Sequence, residues 1–163
     1  SERCVDLDAA LAPWTEPLEQ GLALFVDYGY PEHEYYHWDR HSGTLLCHHR
    51  HQVHADPFVH VGQQDITASV DFTAAARVLQ RAGMRIDGFC SQAWFLLGCG
   101  LETLLLEVQQ GDPATALQVG QSVKRLLLPG EMGDRIQVLG ASRGCDIEWL
   151  GFKPNNQLGR LVR

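Results

Sequence analysis

The stretch that decides the fold is Gly21–Tyr30, which runs Gly-Leu-Ala-Leu-Phe-Val-Asp-Tyr-Gly-Tyr. The apolar run within it, Leu22–Val26, is too short for a soluble helix and does not alternate with polar residues. This pattern is typical of a strand buried on both faces of a parallel sheet. Ligands in open α/β sheets bind beyond the carboxyl ends of strands, so Asp27, Tyr28 and Gly29 are candidates for a functional site. The alternative is that Asp27 caps a turn and Gly29 bends it.

Composition places the chain among soluble globular proteins. Its 163 residues are 45% hydrophobic and 20% charged, which suits a single domain with its own core and excludes disordered and collagen-like classes. A net charge of −7 opposes binding to a nucleic-acid backbone. No apolar run approaches the roughly 20 residues that cross a bilayer, and the first residues do not resemble a signal peptide. We therefore expect a cytoplasmic protein, or a mitochondrial matrix protein in a eukaryote, that binds no nucleic acid and no membrane.

The cysteines indicate a reducing compartment. Their number is odd, they are widely separated, and no Cys-x-x-Cys occurs: Cys4, Cys47, Cys90, Cys99 and Cys145. This arrangement fits buried thiols better than a disulfide framework or a zinc knuckle.

Helix and strand signals continue along the chain after the first strand. We predict a helix from Asp71 to Ala82, a strand over Met84–Cys90, an apolar helix over Ala93–Val108 interrupted by Gly98 and Gly100, a helix that begins at Asp112-Pro113, and a terminal antiparallel hairpin of 135–140 and 146–152. Residues 1–20 predict one short helical turn. The order of these elements favours an α/β sheet with an antiparallel edge pair.

The connection after the first strand is long. Residues 31–41 form an aromatic and polar loop, residues 43–49 have the character of a second strand, and residues 50–65 are loop-like because of Pro57 and Gly62. A connection of this length inside a compact domain is usually functional.

Short motifs occur in a fixed order between Leu22 and Phe152. They are Asp27-Tyr28-Gly29-Tyr30, Gly43-Thr44-Leu45, His51, Asp56-Pro57, Gly62, Asp65-Ile66-Thr67, Val70-Asp71-Phe72, Ser91-Gln92, Phe95-Leu96, Glu131-Met132-Gly133 and Val138-Leu139. Together they resemble the MidA family of S-adenosylmethionine-dependent methyltransferases. The resemblance implies a Rossmann-like class I methyltransferase fold. For mitochondrial members it implies methylation of a protein arginine during complex I assembly.

One departure from that family limits what the chain is expected to do. Family members carry, before the Asp-Tyr-Gly strand, a first strand with a glycine-rich loop and an acidic residue for the ribose. No Gly-x-Gly-x-x-Gly occurs here, and Gly98-Cys99-Gly100 lies within a helix pattern. We therefore expect the C-terminal half of such an enzyme, with parallel strands and the terminal hairpin, as one partial domain over residues 1–163. By itself this half is expected to hold no cofactor.

The resemblance also assigns site residues. Asp27, Tyr28 and Gly29 are expected to be catalytic, with Asp27 able to hold an acceptor guanidinium through paired hydrogen bonds. Substrate-binding positions are expected at His51, Asp65, Thr67, Asp71 and Gln92. The structural alternatives are that Asp65 and Thr67 organise a turn and that Asp71 and Gln92 cap helices.

Two further interpretations stay open. All eight histidines lie between His33 and His60, and Cys47, His49 and His51 would share one strand face that could hold zinc or nickel. The sequence has no second cysteine pair and no His-Glu-x-x-His in a predicted helix, so we expect no metal site. The second interpretation is that the chain is a non-catalytic interaction or assembly module. A first strand with an unpaired edge tends to pair with a strand of another chain. We expect that partner to be the missing half of the protein or a second copy.

Overall fold

The structure is a computed structural model that describes residues 2–162. Its helices are α1 (Leu7–Thr15), α2 (Glu32–Tyr35), α3 (Phe72–Arg81), α4 (Gln92–Gly98), α5 (Leu101–Gln109), α6 (Pro113–Leu127) and α7 (Met132–Arg135). Its strands are β1 (Gly21–Tyr30), β2 (Leu46–His49), β3 (Gln52–His54), β4 (Asp65–Thr67), β5 (Val70–Asp71), β6 (Arg85–Ser91) and β7 (Ile136–Arg143). Short 3₁₀ turns cover Leu150–Phe152 and Leu158–Leu161.

The main sheet is mixed and has the order β5-β1-β7-β6. β7 is antiparallel to both β1 and β6, so β1 and β6 run in the same direction. β5 is parallel to β1 and contacts it only at Gly29 and Tyr30. The predicted α/β class is confirmed in that helices accompany a mixed sheet. The expectation of mainly parallel strand pairing is wrong.

The predicted terminal hairpin is also wrong. β7 continues to Arg143, and residues 146–149 that follow it form no strand. Both edges of β7 are already hydrogen-bonded, to β1 on one side and β6 on the other, so no edge remains for a returning strand.

The decisive stretch forms a strand, but only one of its faces is buried. Leu22, Leu24, Val26 and Tyr28 are each 44–50% exposed, while Ala23 and Phe25 pack against the core. The prediction of burial on both faces is therefore wrong for the described chain. A continuous apolar run indicates that both faces can be covered, and within residues 2–162 the second face of β1 is covered only in part.

The helix boundaries follow their capping signals. Asp71 Oδ1 accepts a hydrogen bond from Ala74 N at 3.0 Å and starts α3, and Asp112 Oδ2 accepts one from Thr115 N at 2.8 Å and starts α6. The predicted apolar helix divides at Gly100, whose φ of +88° is left-handed. The lead-in folds into nine-residue α1 rather than a single turn.

The long connection contains a second sheet of order β3-β2-β4. Its first hairpin turns at Arg50 and His51, whose φ values of +46° and +66° are both positive, as a two-residue loop of type I′ geometry requires. The loop prediction over residues 50–65 is wrong for β3. Asn-Gly signals this turn in most hairpins, and its absence here hid the strand.

The core lies between the main sheet and α3. Phe72, Leu79, Phe89 and Leu139 are its largest members, and the rings of Phe72 and Phe89 have centroids 5.4 Å apart. On the opposite face Phe152 lies directly over Gly140, where a Cβ would come within 2.5 Å of its Cε2 atom. None of the helices in residues 2–162 is long and apolar enough to cross a membrane.

Candidate functional site

The carboxyl ends of β1 and β6 meet the start of β7 at one edge of the main sheet. Asp27 pairs with Gln137, and Gln137 pairs with Ser91 on its other side. Residues directly opposite each other in an antiparallel pair share a face, so these three side chains form a row. Gln92 follows the row immediately, so it lies at the same edge as Asp27.

The three predicted catalytic residues have different environments. Asp27 is exposed, and its Oδ1 accepts a hydrogen bond from Tyr28 N at 2.7 Å. Tyr28 is half exposed on the uncovered face. Gly29 is buried where β1 meets β5, and a Cβ there would lie 2.6 Å from Phe72 Cε2. Gly29 thus permits close packing of the two strands, and Asp27 lines neither of the two cavities described below.

Gln92 and Asp71 make structural contacts. Gln92 is buried, and its Nε2 donates a hydrogen bond to Leu126 O at 3.1 Å, which ties α4 to the end of α6. Asp71 caps α3. Burial raises the pKa of Asp71, and Glu32 raises it further, against the lowering effect of its hydrogen bond from Ala74 N.

The remaining predicted positions belong to the small sheet. Asp65 and Thr67 are exposed in β4, where Thr67 Oγ1 donates to Leu46 O at 3.3 Å. His51 lies in the β2–β3 turn. No hydrogen bond or ion pair within the described chain joins these three residues to Asp27, so the structure does not bring them to the edge that Asp27 occupies.

Gln137 was not singled out in the sequence. It is 4% exposed, its Nε2 donates to Asp134 O at 2.7 Å, and its Oε1 has no hydrogen-bond partner in the described chain. A buried acceptor without a donor is costly, so this oxygen leaves hydrogen-bonding capacity unused beside Asp27. The available signal was a polar residue inside the apolar run of residues 136–139.

A cavity of about 280 Å³ lies in the aromatic segment that follows β1, and the sequence predictions did not assign it a role. Its lining residues are Tyr36, His37, Trp38, Arg40 and His41. The Arg40 guanidinium carbon lies 3.7 Å from the centroid of the Tyr30 ring, which places a cation over an aromatic face.

A larger open cavity of about 500 Å³ lies at the amino end of β6, away from the row. Its polar groups are paired with each other: Asp87 accepts hydrogen bonds from Arg85 Nε at 2.6 Å and Trp149 Nε1 at 3.0 Å. Burial by itself would raise the pKa of Asp87, but these hydrogen bonds outweigh it and lower the pKa below its ordinary value. The cavity therefore holds a structural network.

The histidines do not form the predicted strand face. Cys47 and His49 lie in β2, whereas His51 has left the strand at the turn, so the period-two arrangement fails at its third member. His49 instead stacks on His60 with ring centroids 4.2 Å apart. Across residues 2–162 no group of three or more His, Cys, Asp or Glu side chains is arranged to hold a metal ion.

Free thiols complete the inventory of candidate nucleophiles. Cys47 and Cys90 are buried, Cys4 and Cys99 are exposed, and Cys145 is intermediate. Burial raises the pKa of Cys90 to about 12, so this thiol is not a nucleophile near neutral pH. The cysteines offer no catalytic constellation.

Comparison with known proteins identifies the family. Residues 1–90 match the family described as "Putative S-adenosyl-L-methionine-dependent methyltransferase". The chain belongs to this family. No protein of curated function matches it.

Two crystal structures from Burkholderia thailandensis are similar to it, each with 41% sequence identity, a TM-score of 0.87 and 91% of this chain covered. One is an uncharacterized protein, and the other is described as a "likely methyl transferase" bound to S-adenosyl-homocysteine. The chain spans 40% and 38% of the length of these relatives.

Proposed function

We propose that the chain is the acceptor-side part of an S-adenosylmethionine-dependent protein arginine methyltransferase of the MidA kind. The row formed by Asp27, Gln137 and Ser91 carries this proposal, because it sits at the strand ends where α/β enzymes bind ligands. Two findings support S-adenosylmethionine as the methyl donor: the chain belongs to the methyltransferase family, and one relative is bound to S-adenosyl-homocysteine.

The row has the chemistry that a guanidinium acceptor requires. Asp27 supplies a carboxylate that can hold a guanidinium through two parallel hydrogen bonds and orient one nitrogen. The free Oε1 of Gln137 supplies a second acceptor on the same face. Methyl transfer is an in-line displacement, so fixing the nitrogen against the methyl group is the main contribution these residues make.

The cofactor-binding elements are proposed to come from the part of the relatives that this chain does not match. Between Gly21 and Tyr28 the outer edge of β1 has no strand partner in the described chain, and the face formed by Leu22, Leu24 and Val26 is half exposed. An open edge beside an apolar face favours pairing with a further strand. That strand would extend the sheet toward a donor site.

A hybrid enzyme tests this proposal. The chain replaces the matched region of the relative that binds S-adenosyl-homocysteine, and the hybrid is given S-adenosylmethionine carrying a labelled methyl group. We expect calorimetry to detect much tighter donor binding to the hybrid than to the chain alone, and mass spectrometry to find the label on arginine. Label on lysine or on a small molecule, with donor bound, would contradict the arginine assignment.

A matched pair of variants separates chemistry from folding in the hybrid. Asp27→Asn should lower the transfer rate about a hundredfold while donor affinity is retained, on the scale of a positioned polar group. Asp146→Asn is the control, because this exposed carboxylate lies beside Arg85 at the amino end of β6, the opposite end of that strand from Ser91. Equal rates for Asp27→Asn and the unmodified hybrid would remove Asp27 from the mechanism.

A non-catalytic assembly module is the second candidate, and the uncovered face of β1 favours it. In that case the hybrid would bind neither donor nor acceptor, while the chain would associate through its free edge. Val26→Lys places a charge on the exposed face. Sedimentation of this variant and of the unmodified chain distinguishes the assembly role from the methyltransferase role. Loss of association in Val26→Lys without any donor binding in the hybrid would leave the assembly role.

A further inference from the structure

The cavity beyond β1 has a cation at its base and aromatic walls. The guanidinium carbon of Arg40 lies over the Tyr30 ring, 3.7 Å from its centroid. Tyr30 is the last residue of β1, so the cavity opens beyond the carboxyl end of that strand. Tyr36 and Trp38 are 44% and 72% exposed and form the open side.

Arg40 has no anionic partner in the part of the chain that the structure describes. Its side chain makes no hydrogen bond and no ion pair there, whereas Arg77 and Arg81 each bind a carboxylate at 2.8 Å. The adjacent carboxylate of Asp39 pairs with His37 at 3.4 Å instead. The five N–H donors of the Arg40 guanidinium are therefore free.

An aromatic contact stabilises the charge of a guanidinium but leaves its hydrogen-bonding capacity unused. The planar array of guanidinium donors matches a carboxylate through two parallel hydrogen bonds. His37 and His41 add ring nitrogens to the same cavity. The site is thus arranged for an anion with a short stem that can rest against Trp38.

Size restricts the ligand further. Cavities that enclose a drug-sized molecule have volumes from about 300 Å³ upward, so the 280 Å³ here suits one small group of a larger ligand. A nucleoside is larger than this open depression, whereas a carboxylate on one or two methylenes fits within it.

We propose that the Arg40 cavity binds a carboxylate. This inference rests on the proposed function, which offers two sources of that group at the same sheet edge. One is the α-carboxylate of the amino-acid part of the methyl donor, and the other is an acidic side chain of the acceptor protein close to its arginine. Both would be held by the Arg40 guanidinium, with the stem against Trp38.

Titration of the ¹⁵N-labelled chain tests the proposal without any activity assay. The indole signal of Trp38, assigned with Trp38→Phe, reports binding. The donor arm compares S-adenosyl-homocysteine with methylthioadenosine, which keeps the nucleoside and lacks the amino acid. The acceptor arm compares N-acetyl-aspartate amide with N-acetyl-asparagine amide, which differ only in the carboxylate.

We expect saturable shifts of the Trp38 signal with at least one carboxylate probe and none with its matched neutral probe. The arm that responds identifies the source. Arg40→Gln should weaken that binding about tenfold or more, since hydrogen bonds to charged groups are lost. Arg40→Lys keeps the charge, so its affinity should fall between those of the unmodified chain and Arg40→Gln. Arg77→Gln, which removes an arginine that is paired with Glu32 and does not line the cavity, should bind like the unmodified chain.

Three results would overturn the proposal. They are equal shifts from the charged and neutral members of both pairs, unchanged affinity in Arg40→Gln, and binding of inorganic phosphate at least tenfold tighter than either carboxylate. Circular dichroism of Arg40→Gln and Arg40→Lys establishes that both are folded. A hybrid enzyme that transfers methyl groups equally well with Arg40→Gln would remove the carboxylate site and leave the proposed function intact.

Discussion

The two faces of β1 differ in a way that its sequence does not reveal. On one face Phe25 lies opposite Leu139, which is fully buried, and the pair contacts the core under α3. On the other face Leu24 lies opposite Gly140 and is 44% exposed. The same strand therefore has one face packed as a protein interior and one that resembles an interface.

The chain itself supplies the packing for only one of these two faces. The packed face is completed by elements within the chain, chiefly α3 and α1, so it should determine the stability of the chain alone. The exposed face contributes little until something covers it, so it should determine association. Substitutions on the packed face should therefore lower stability far more than substitutions on the exposed face.

The largest effect is expected at the packed face. Leu139→Ala removes a fully buried side chain from the centre of the core and leaves a cavity that the surrounding sheet cannot easily fill. We expect a loss of about 3 kcal/mol in the free energy of unfolding, measured by urea denaturation. A loss below about 1 kcal/mol would mean that this face is loosely packed and that the contrast is false.

A smaller effect is expected where Arg143 joins α1 and α3 to the sheet. Its Nη1 donates to Thr15 O at 2.9 Å and to Leu18 O at 2.8 Å, and its Nη2 donates to Ala82 O. Arg143→Met retains the apolar stem but leaves these carbonyls without the donor.

We expect Arg143→Met to cost about 2 kcal/mol, because hydrogen bonds from a charged group to partly buried carbonyls are lost. Arg143→Lys is the control, since a single ammonium group cannot replace the two-armed guanidinium and should recover only part of the loss. Denaturation curves that coincide for all three proteins would show that the covering helices are held by apolar contacts alone.

Local signals predicted where two of the longer helices begin and which face of α3 is buried. The carboxylates of Asp71 and Asp112 start α3 and α6 where their sequence positions predict, and the apolar stripe of α3 is buried. These features depend on residues within one or two helical turns, so they can be determined from a short window of sequence.

Features that depend on distant pairing could not be predicted in the same way. Whether residues 146–152 return as a strand depends on whether the edges of β7 are free, and β1 and β6 occupy both. The site shows the same limit: Arg40 meets Tyr30 across a loop, and Gln137 meets Asp27 across strands 110 positions apart in sequence. The sequence predicted the strand β1 correctly, but it did not predict that one face of β1 is half exposed.

The start of α3 provides an intermediate effect. Asp71→Ala removes the cap, and we expect a cost of about 1 kcal/mol. Asp71→Asn keeps the hydrogen bond to Ala74 N and should match the unmodified chain near pH 3, where the Asp71 carboxyl is uncharged. Because burial raises the pKa of Asp71 above its ordinary value of 3.8, the folded state binds its proton more tightly than the unfolded state.

The unmodified chain should therefore lose stability relative to Asp71→Asn as the pH rises from about 3.8 through the raised pKa of the folded state. Urea denaturation at several pH values between 3 and 7 measures this difference. A difference that changes in the opposite direction would mean that the ionised carboxylate at the start of α3 is stabilised, as an exposed cap would be.

The smallest effect on stability is expected at the exposed face, with the same residue change as in the core. Leu24→Ala removes a side chain that is 44% exposed and rests over Gly140, so we expect a cost below about 1 kcal/mol. In the hybrid enzyme, where the remainder of the relative would pack against this face, the same substitution should cost more than in the chain alone. Equal costs in the two settings would mean that the face of Leu24 stays open to solvent and that the remainder of a methyltransferase does not cover it.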